Sequence, residues 1–175
     1  MLLKIVIIIA IVIAGIFLFA AMKPDTIRIQ RSIIIKAPQE TVFPLINDFH
    51  NWPLWSPQDK DDPSFKRTFS GPAAGIDATS DWTGSGNSGL GRMRITESIP
   101  YRSVSVKVDF VKPFGAHNRN DFILKPASGS TQVTWTMEGS NVYMMKVMGV
   151  FVNMDRMMGK HFEDGLSNLK VVAEQ

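Results

Sequence analysis

The sequence predicts an α+β domain, a curved antiparallel sheet of seven strands gripping one long C-terminal helix, carried behind an N-terminal membrane-crossing helix. Three observations predict it. An eighteen-residue uncharged run opens the chain, seven strand-like segments are punctuated by turn chemistry, and one long amphipathic pattern closes it. A meander of antiparallel strands has one apolar face to cover, and here only the last element is long enough to cover it.

The uncharged run, Ile5 to Met22, reads IVIIIAIVIAGIFLFAAM between Lys4 and Lys23. At 1.5 Å per residue it nearly matches a hydrocarbon core about 30 Å thick, so it reads as a single transmembrane helix and gives residues 1–24 as an anchor. A cleaved signal peptide would have an apolar region of about 7–15 residues ending in small residues around the cut. FLFAAM offers no clean A-x-A, which favours an uncleaved anchor. The short N-terminal flank favours an amino terminus inside and the domain, residues 25–175, on the exported side of a bacterial inner membrane. Setting Lys4 and Lys23 aside leaves 17 Lys/Arg against 16 Asp/Glu. No basic stripe remains, which argues against nucleic acid as a partner. The absence of cysteine excludes disulfides, thiolate metal sites and a cysteine nucleophile.

The domain begins with a strand, Thr26 to Ala37, in which Ile27, Ile29, Ile33 and Ile35 alternate. A short helix follows, with Pro38 in its first turn, Val42, Phe43 and Ile46 on its apolar face, and Pro44 limiting its length. The Pro-rich FHNWPLWSPQDKDDP then reads as a short helical turn and a loop, with Asp59 to Pro63 a solvated acidic turn. Six strand signals come next: Ser64–Ser70, Ile76–Thr83, Leu90–Ile99, Tyr101–Val111, Asn118–Lys125 and Gln132–Glu138. Gly71-Pro72, Pro100, Pro113-Phe114-Gly115 and Ser128-Gly129 supply the turns between them. From Val142 to Ala173, Met144, Val147, Phe151, Met154, Met158, Phe162 and Leu169 recur at helical spacing. Lys146, Asn153, Arg156, Lys160, Glu163 and Lys170 take the other face.

The segments RSIIIKAPQETVFPLINDFHNWPLWSP, SGPAAGIDATSDWTG, GLGRMRITESIP and TQVTWTM resemble the START-like (SRPBCC) superfamily, and within it the bacterial polyketide cyclase/dehydrase-like branch. The resemblance covers Thr26 to the C-terminus. It implies the helix-grip fold shared with plant pathogenesis-related allergens, and binding of apolar or amphipathic small molecules. Only some members are enzymes.

GSGNSGLG, Gly84 to Gly91, matches a phosphate-loop pattern, but a dinucleotide fingerprint needs a helix directly after its glycines. Here RMRITESIP alternates as a strand does, so the glycines read as a hairpin connection and nucleotide binding is rejected. On that strand Met93, Ile95 and Glu97 share a face by period-two alternation. An inward Glu97 would have a raised pKa and serve as acid/base or hold a polar ligand group; a strand bulge near Pro100 would turn it away, and at the rim it would be solvated or salt-bridged. Asn118 and Asn120 share the face of Phe122 and Leu124 in the same way. Trp82, Phe110 and Trp135 fall on apolar strand faces, and Trp52 and Trp55 lie in the segment that resembles the cavity's lid. These aromatics line a pocket or fill a solid core. Six of the ten methionines lie between Met144 and Met158, and such a helix suits an adaptable cavity wall, or core filling. His50, His117 and His161 are too scattered for a metal site, and no cofactor is expected.

The expected function is a membrane-anchored domain that sequesters a hydrophobic small molecule or lipid between sheet and C-terminal helix. Its expected ligand contacts are Trp52, Trp55, Trp82, Met93, Glu97, Phe110, Asn120, Trp135, Met144, Met148 and Phe151. The alternatives are a cyclase/dehydratase-like enzyme using Glu97, and a filled-core interaction scaffold.

Overall fold

The computed structural model describes residues 1–85, 89–112 and 115–175, with backbone alone at residues 60 and 61. The centre of the glycine stretch, residues 86–88, and the Pro113-Phe114 turn lie outside the described residues.

Helix α1 runs Leu2–Ala21 and is long and apolar enough to cross a membrane, a test that a signal sequence also meets. Strand β1 (Thr26–Ile35) leads to helix α2 (Gln39–Asn47), a 3-10 turn (Phe49–Leu54) and a short helix α3 (Pro57–Asp61). Strands β2 (Lys66–Ser70), β3 (Thr79–Thr83), β4 (Leu90–Ile99), β5 (Ser103–Lys112), β6 (Ala116–Ala127) and β7 (Ser130–Ser140) then form a continuous antiparallel meander. β1 pairs with β7, so the sheet order is β1-β7-β6-β5-β4-β3-β2.

The expected single C-terminal helix is two helices, α4 (Tyr143–Phe151) and α5 (Met154–Ala173). Val152 is extended, and the Asn153 side chain caps α5 by accepting a hydrogen bond from the Arg156 amide at 3.0 Å. With Asp155 in the first turn, this is a complete helix start, and it resets the helical phase.

α5 lies against the inner face of the sheet through Phe162, Leu166, Leu169 and Ala173, all buried. Its two buried glycines let it come close. A Cβ on Gly165 would lie 2.9 Å from the Trp135 ring, and one on Gly159 would lie 1.9 Å from the Arg31 guanidinium. Arg31 stands in the inward-facing row of β1 where the flanking positions are isoleucine. It donates to Glu163 at 2.7 Å and to the Asp155 carboxylate at 3.0 and 3.2 Å, tying the first strand to the first turns of α5. These bonds raise the Arg31 pKa, and the Arg31 hydrogen bond holds the Asp155 carboxyl below its ordinary value.

The hairpin between β3 and β4 explains part of the glycine stretch. The Gly84 amide donates to the Gly89 carbonyl at 2.7 Å, and Gly89 has a positive φ of 62°. Gly91 serves a different need, since a Cβ there would lie 2.3 Å from the Trp82 ring and 2.6 Å from the Asp109 carbonyl oxygen. The edge of the indole occupies the space that any side chain at Gly91 would need.

Candidate functional site

Four of the expected ligand-contact residues, Trp52, Trp55, Trp135 and Asn120, meet in one aromatic cluster between sheet and α5. Trp135 of β7 stacks on Phe162 of α5 with centroids 4.2 Å apart and planes 5° from parallel. Phe122 lies 4.9 Å from Trp135, and Trp55 packs edge-on to both at 5.9 and 6.1 Å. Trp52 continues the chain of rings 4.9 Å from Trp55. Every indole N–H in this group is committed. Trp52 and Trp55 donate to the carbonyls of Ile46 and Leu45 in α2, and Trp135 donates to Oδ1 of the buried Asn120 at 3.0 Å. Trp82 packs edge-on to Phe110 at 5.3 Å, and Met93 is buried on the neighbouring strand. At this position sheet and helix touch through rings, as a packed core does.

Of the orientations open to Glu97, the structure takes the outward, salt-bridged one, and the residue is no ligand contact on the inner face. β4 and β5 shift register between Ile95 and Glu97: Ile95 opposes Val106 and Glu97 opposes Ser105, leaving Thr96 as an extra residue. A bulge of this kind flips the side-chain alternation beyond it. Glu97 therefore stands on the outer face, with its side chain 49% exposed and 3.6 Å from Arg119. Ser98 takes the inward place and donates to Asn47 at 2.7 Å. On the outer face Glu97 joins a solvated lattice of ion pairs, Arg119–Asp121 at 2.8 Å and Arg28–Glu138 at 2.9 Å.

The acidic turn also differs. Asp59 is not solvated, because both its oxygens accept from Arg67 of β2, at 2.8 and 2.7 Å, in a pair whose side chains are 11% and 4% exposed. Arg67 further donates to Ser80 at 3.2 Å and lies over the Phe65 ring at 5.0 Å.

A cavity of about 590 Å³ lies elsewhere, where α1 ends, β1 begins and α4 meets α5. Ile27, Met145, Val150, Phe151 and Met154 contribute apolar groups to its lining, and Lys23, Arg28, Lys146 and Asn141 contribute polar ones. Lys146, expected on the exposed face of the helix, is turned inward with its side chain 8% exposed and paired to Asp25. That hydrogen bond and charge lower the Asp25 pKa. Lys23 donates to the Gly149 carbonyl, and Asn141 donates to the Pro24 carbonyl at 2.9 Å. The junction of anchor and domain is thus closed by side chains from both. Of the expected contacts only Phe151 lines this cavity, while Met144 and Met148 point outward from α4. Ile27, Met145, Lys146, Val150 and Met154, which also line it, were not among the expected contacts. The Asn153-x-Asp155 helix start was the signal that could have moved the helical phase onto them. Among the described residues no group of three or more His, Asp and Glu is arranged to hold a metal ion.

The family model for polyketide cyclase/dehydrase and lipid transport matches residues 26–174. The chain belongs to this family. Membership supports a ligand-binding domain in the general sense. Solved structures of the same fold include protein CV1439 from Chromobacterium violaceum, 16% identical with a TM-score of 0.61 over 87% of this chain and 99% of that one. They also include the Aha1 dimer from Colwellia psychrerythraea, 21% identical with a TM-score of 0.56 over 85% and 96%. A protein from Arthrobacter aurescens is 14% identical with a TM-score of 0.60 over 83% and 85%. At these identities the likeness is one of fold. No curated protein matches the chain.

Proposed function

We propose that this member of the family is a membrane-tethered binding domain for a hydrophobic small molecule or lipid, held in the cavity between α1, β1, α4 and α5. The observation that carries the reading is that cavity, an open cleft of about 590 Å³ whose lining combines Ile27, Met145, Val150, Phe151 and Met154 with Lys23, Arg28 and Lys146. Its size falls in the range of small-molecule sites, roughly 300–1,000 Å³, and it combines apolar wall with a few polar groups that orient a ligand. Apolar ligand surface buried there gains about 25 cal/mol per Å², enough for useful binding without a dense polar network. The helix Leu2–Ala21 is the tether, and it places the cavity where apolar molecules are concentrated. The mechanism is sequestration: the ligand's apolar part leaves the lipid phase for the cavity, and its polar end meets the lysines.

Native mass spectrometry of the full chain released from detergent tests this. The expected result is one retained lipid-sized mass per chain, lost or reduced in Val150→Trp, whose larger side chain would narrow the cavity. A bare chain, or a retained mass that Val150→Trp leaves in place, would overturn the assignment of the cavity.

A further inference from the structure

Among the described residues nothing covers the outer face of α4. Met144, Met148 and Phe151 form a stripe at i, i+4 and i+7, and Val152 follows in the extended link; all four are exposed, with Phe151 at 69%. The only charged residue of α4, Lys146, is turned inward to Asp25. A helix facing water normally carries charge on its outer face, and this one carries none. The depth of α4 is set by its contact with α1. The Tyr143 ring stacks on Phe17 with centroids 6.3 Å apart, and its hydroxyl donates to the Phe17 carbonyl at 3.0 Å. Phe17 precedes the end of α1 at Ala21 by one turn, so Tyr143 sits roughly 6 Å below the end of the apolar helix. That is the level at which tyrosines collect at a bilayer surface.

We infer that α4 lies in the bilayer interface, with Met144, Met148, Phe151 and Val152 among the acyl chains next to the headgroups. The inference rests on the reading of α1 as a span, and it adds a second membrane contact that the span alone does not require. Phe151 and Val152 belong both to this exposed group and to the cavity wall, so the cavity opens beside the bilayer. A lipid enters there without crossing water. The domain is also held in one orientation, since α1 and α4 fix two directions.

The chain has no cysteine, so single nitroxide labels report unambiguously. Met148→Cys, Ile9→Cys and Val171→Cys are each labelled in the full chain in phosphatidylcholine/phosphatidylglycerol vesicles. Collision with oxygen is compared with collision with a water-soluble nickel chelate. Val171 is exposed near the far end of α5, a helix about 30 Å long, and serves as the aqueous reference. The expected result is that labels at 148 and 9 favour oxygen and the label at 171 favours nickel. If 148 behaves like 171 while 9 remains in lipid, the α4 inference fails and the anchor stands. If 9 also reports water, the anchor reading fails and takes the inference with it. Dipolar broadening at 148, or a disulfide between two Met148→Cys chains, would mean that a second copy covers the stripe, which also overturns it.

Discussion

Replacing Trp135 by Ala distinguishes a packed core from a ligand-lined space at the centre of the domain. Trp135 is buried, stacked on Phe162 and flanked by Phe122 and Trp55. A buried tryptophan removes roughly 150–250 Å² from water, worth about 4–6 kcal/mol at 25 cal/mol per Å². Alanine retains a small part of that, and measured losses for Trp→Ala in cores run about 3–5 kcal/mol. For a domain of this size each kcal/mol lowers the melting temperature by about 2–4 °C, so the midpoint should fall by roughly 6–20 °C. Thermal unfolding of the full chain in mild detergent, followed by near-UV circular dichroism, reads this directly. A drop under about 2 °C would refute the reasoning, because the ring would then be lining open space. Trp135→Phe keeps the stack but removes the donor to Asn120 Oδ1, and the unpaired buried amide should cost about 1–3 kcal/mol. Adding Asn120→Leu to Trp135→Phe should recover part of that loss.

Three further outcomes follow from the geometry. Asp59→Asn strands the buried Arg67 guanidinium without its counter-charge, and thermal unfolding should show a loss of about 3–5 kcal/mol. Glu97→Gln, on the outer face, should change stability by no more than about 0.5 kcal/mol and leave any retained ligand mass unaltered. The Asp155 carboxyl has a folded-state pKa below its ordinary 3.8, so its bond to Arg31 contributes stability fully above that value. The contribution is lost as pH falls from 3.8 through the lowered pKa. Asp155→Asn should therefore flatten the acid limb of the melting-temperature profile below about pH 3.8 while leaving its slope near pH 7 unchanged.

The fold was legible wherever a single local rule decided the element. β4 is found with the limits Leu90–Ile99 that its alternation predicts, and the meander order follows from turn residues at each junction. Orientation within an element was less legible, because one inserted residue overrides the pattern. Period-two alternation places Glu97 with Ile95, yet the bulge at Thr96 hands the inward position to Ser98. The same limit applies to the C-terminal pattern, where the Val152–Asn153 break lets Lys146 face inward while Met144 and Met148 face out. Long-range pairing was not legible at all. Nothing local marks Asp59, eight residues from Arg67, as half of a buried ion pair, because the partner becomes adjacent only after β2 joins the sheet.

Under the proposed function, the two parts of the concave side divide what the sequence reading placed in one cavity. Aromatic residues from the segment after α2, from β6 and β7, and from α5 close the space under the C-terminal half of the grip, and their committed N–H groups make that region rigid. The open volume lies at the other end, where the grip changes from α5 to α4 and the lining mixes isoleucine, valine and methionine with lysine, arginine and asparagine. Methionine suits that position because its flexible side chain adapts to varied apolar shapes, whereas stacked tryptophans do not. The break at Val152–Asn153 makes this division possible. A continuous helix would carry the α5 contact line onward across the sheet, while a separate α4 swings against α1 and leaves space beneath it. On this reading the rigid ring cluster keeps the scaffold fixed while the methionine-lined end adjusts. Mutations in the first should act on unfolding, and mutations in the second on what the protein retains.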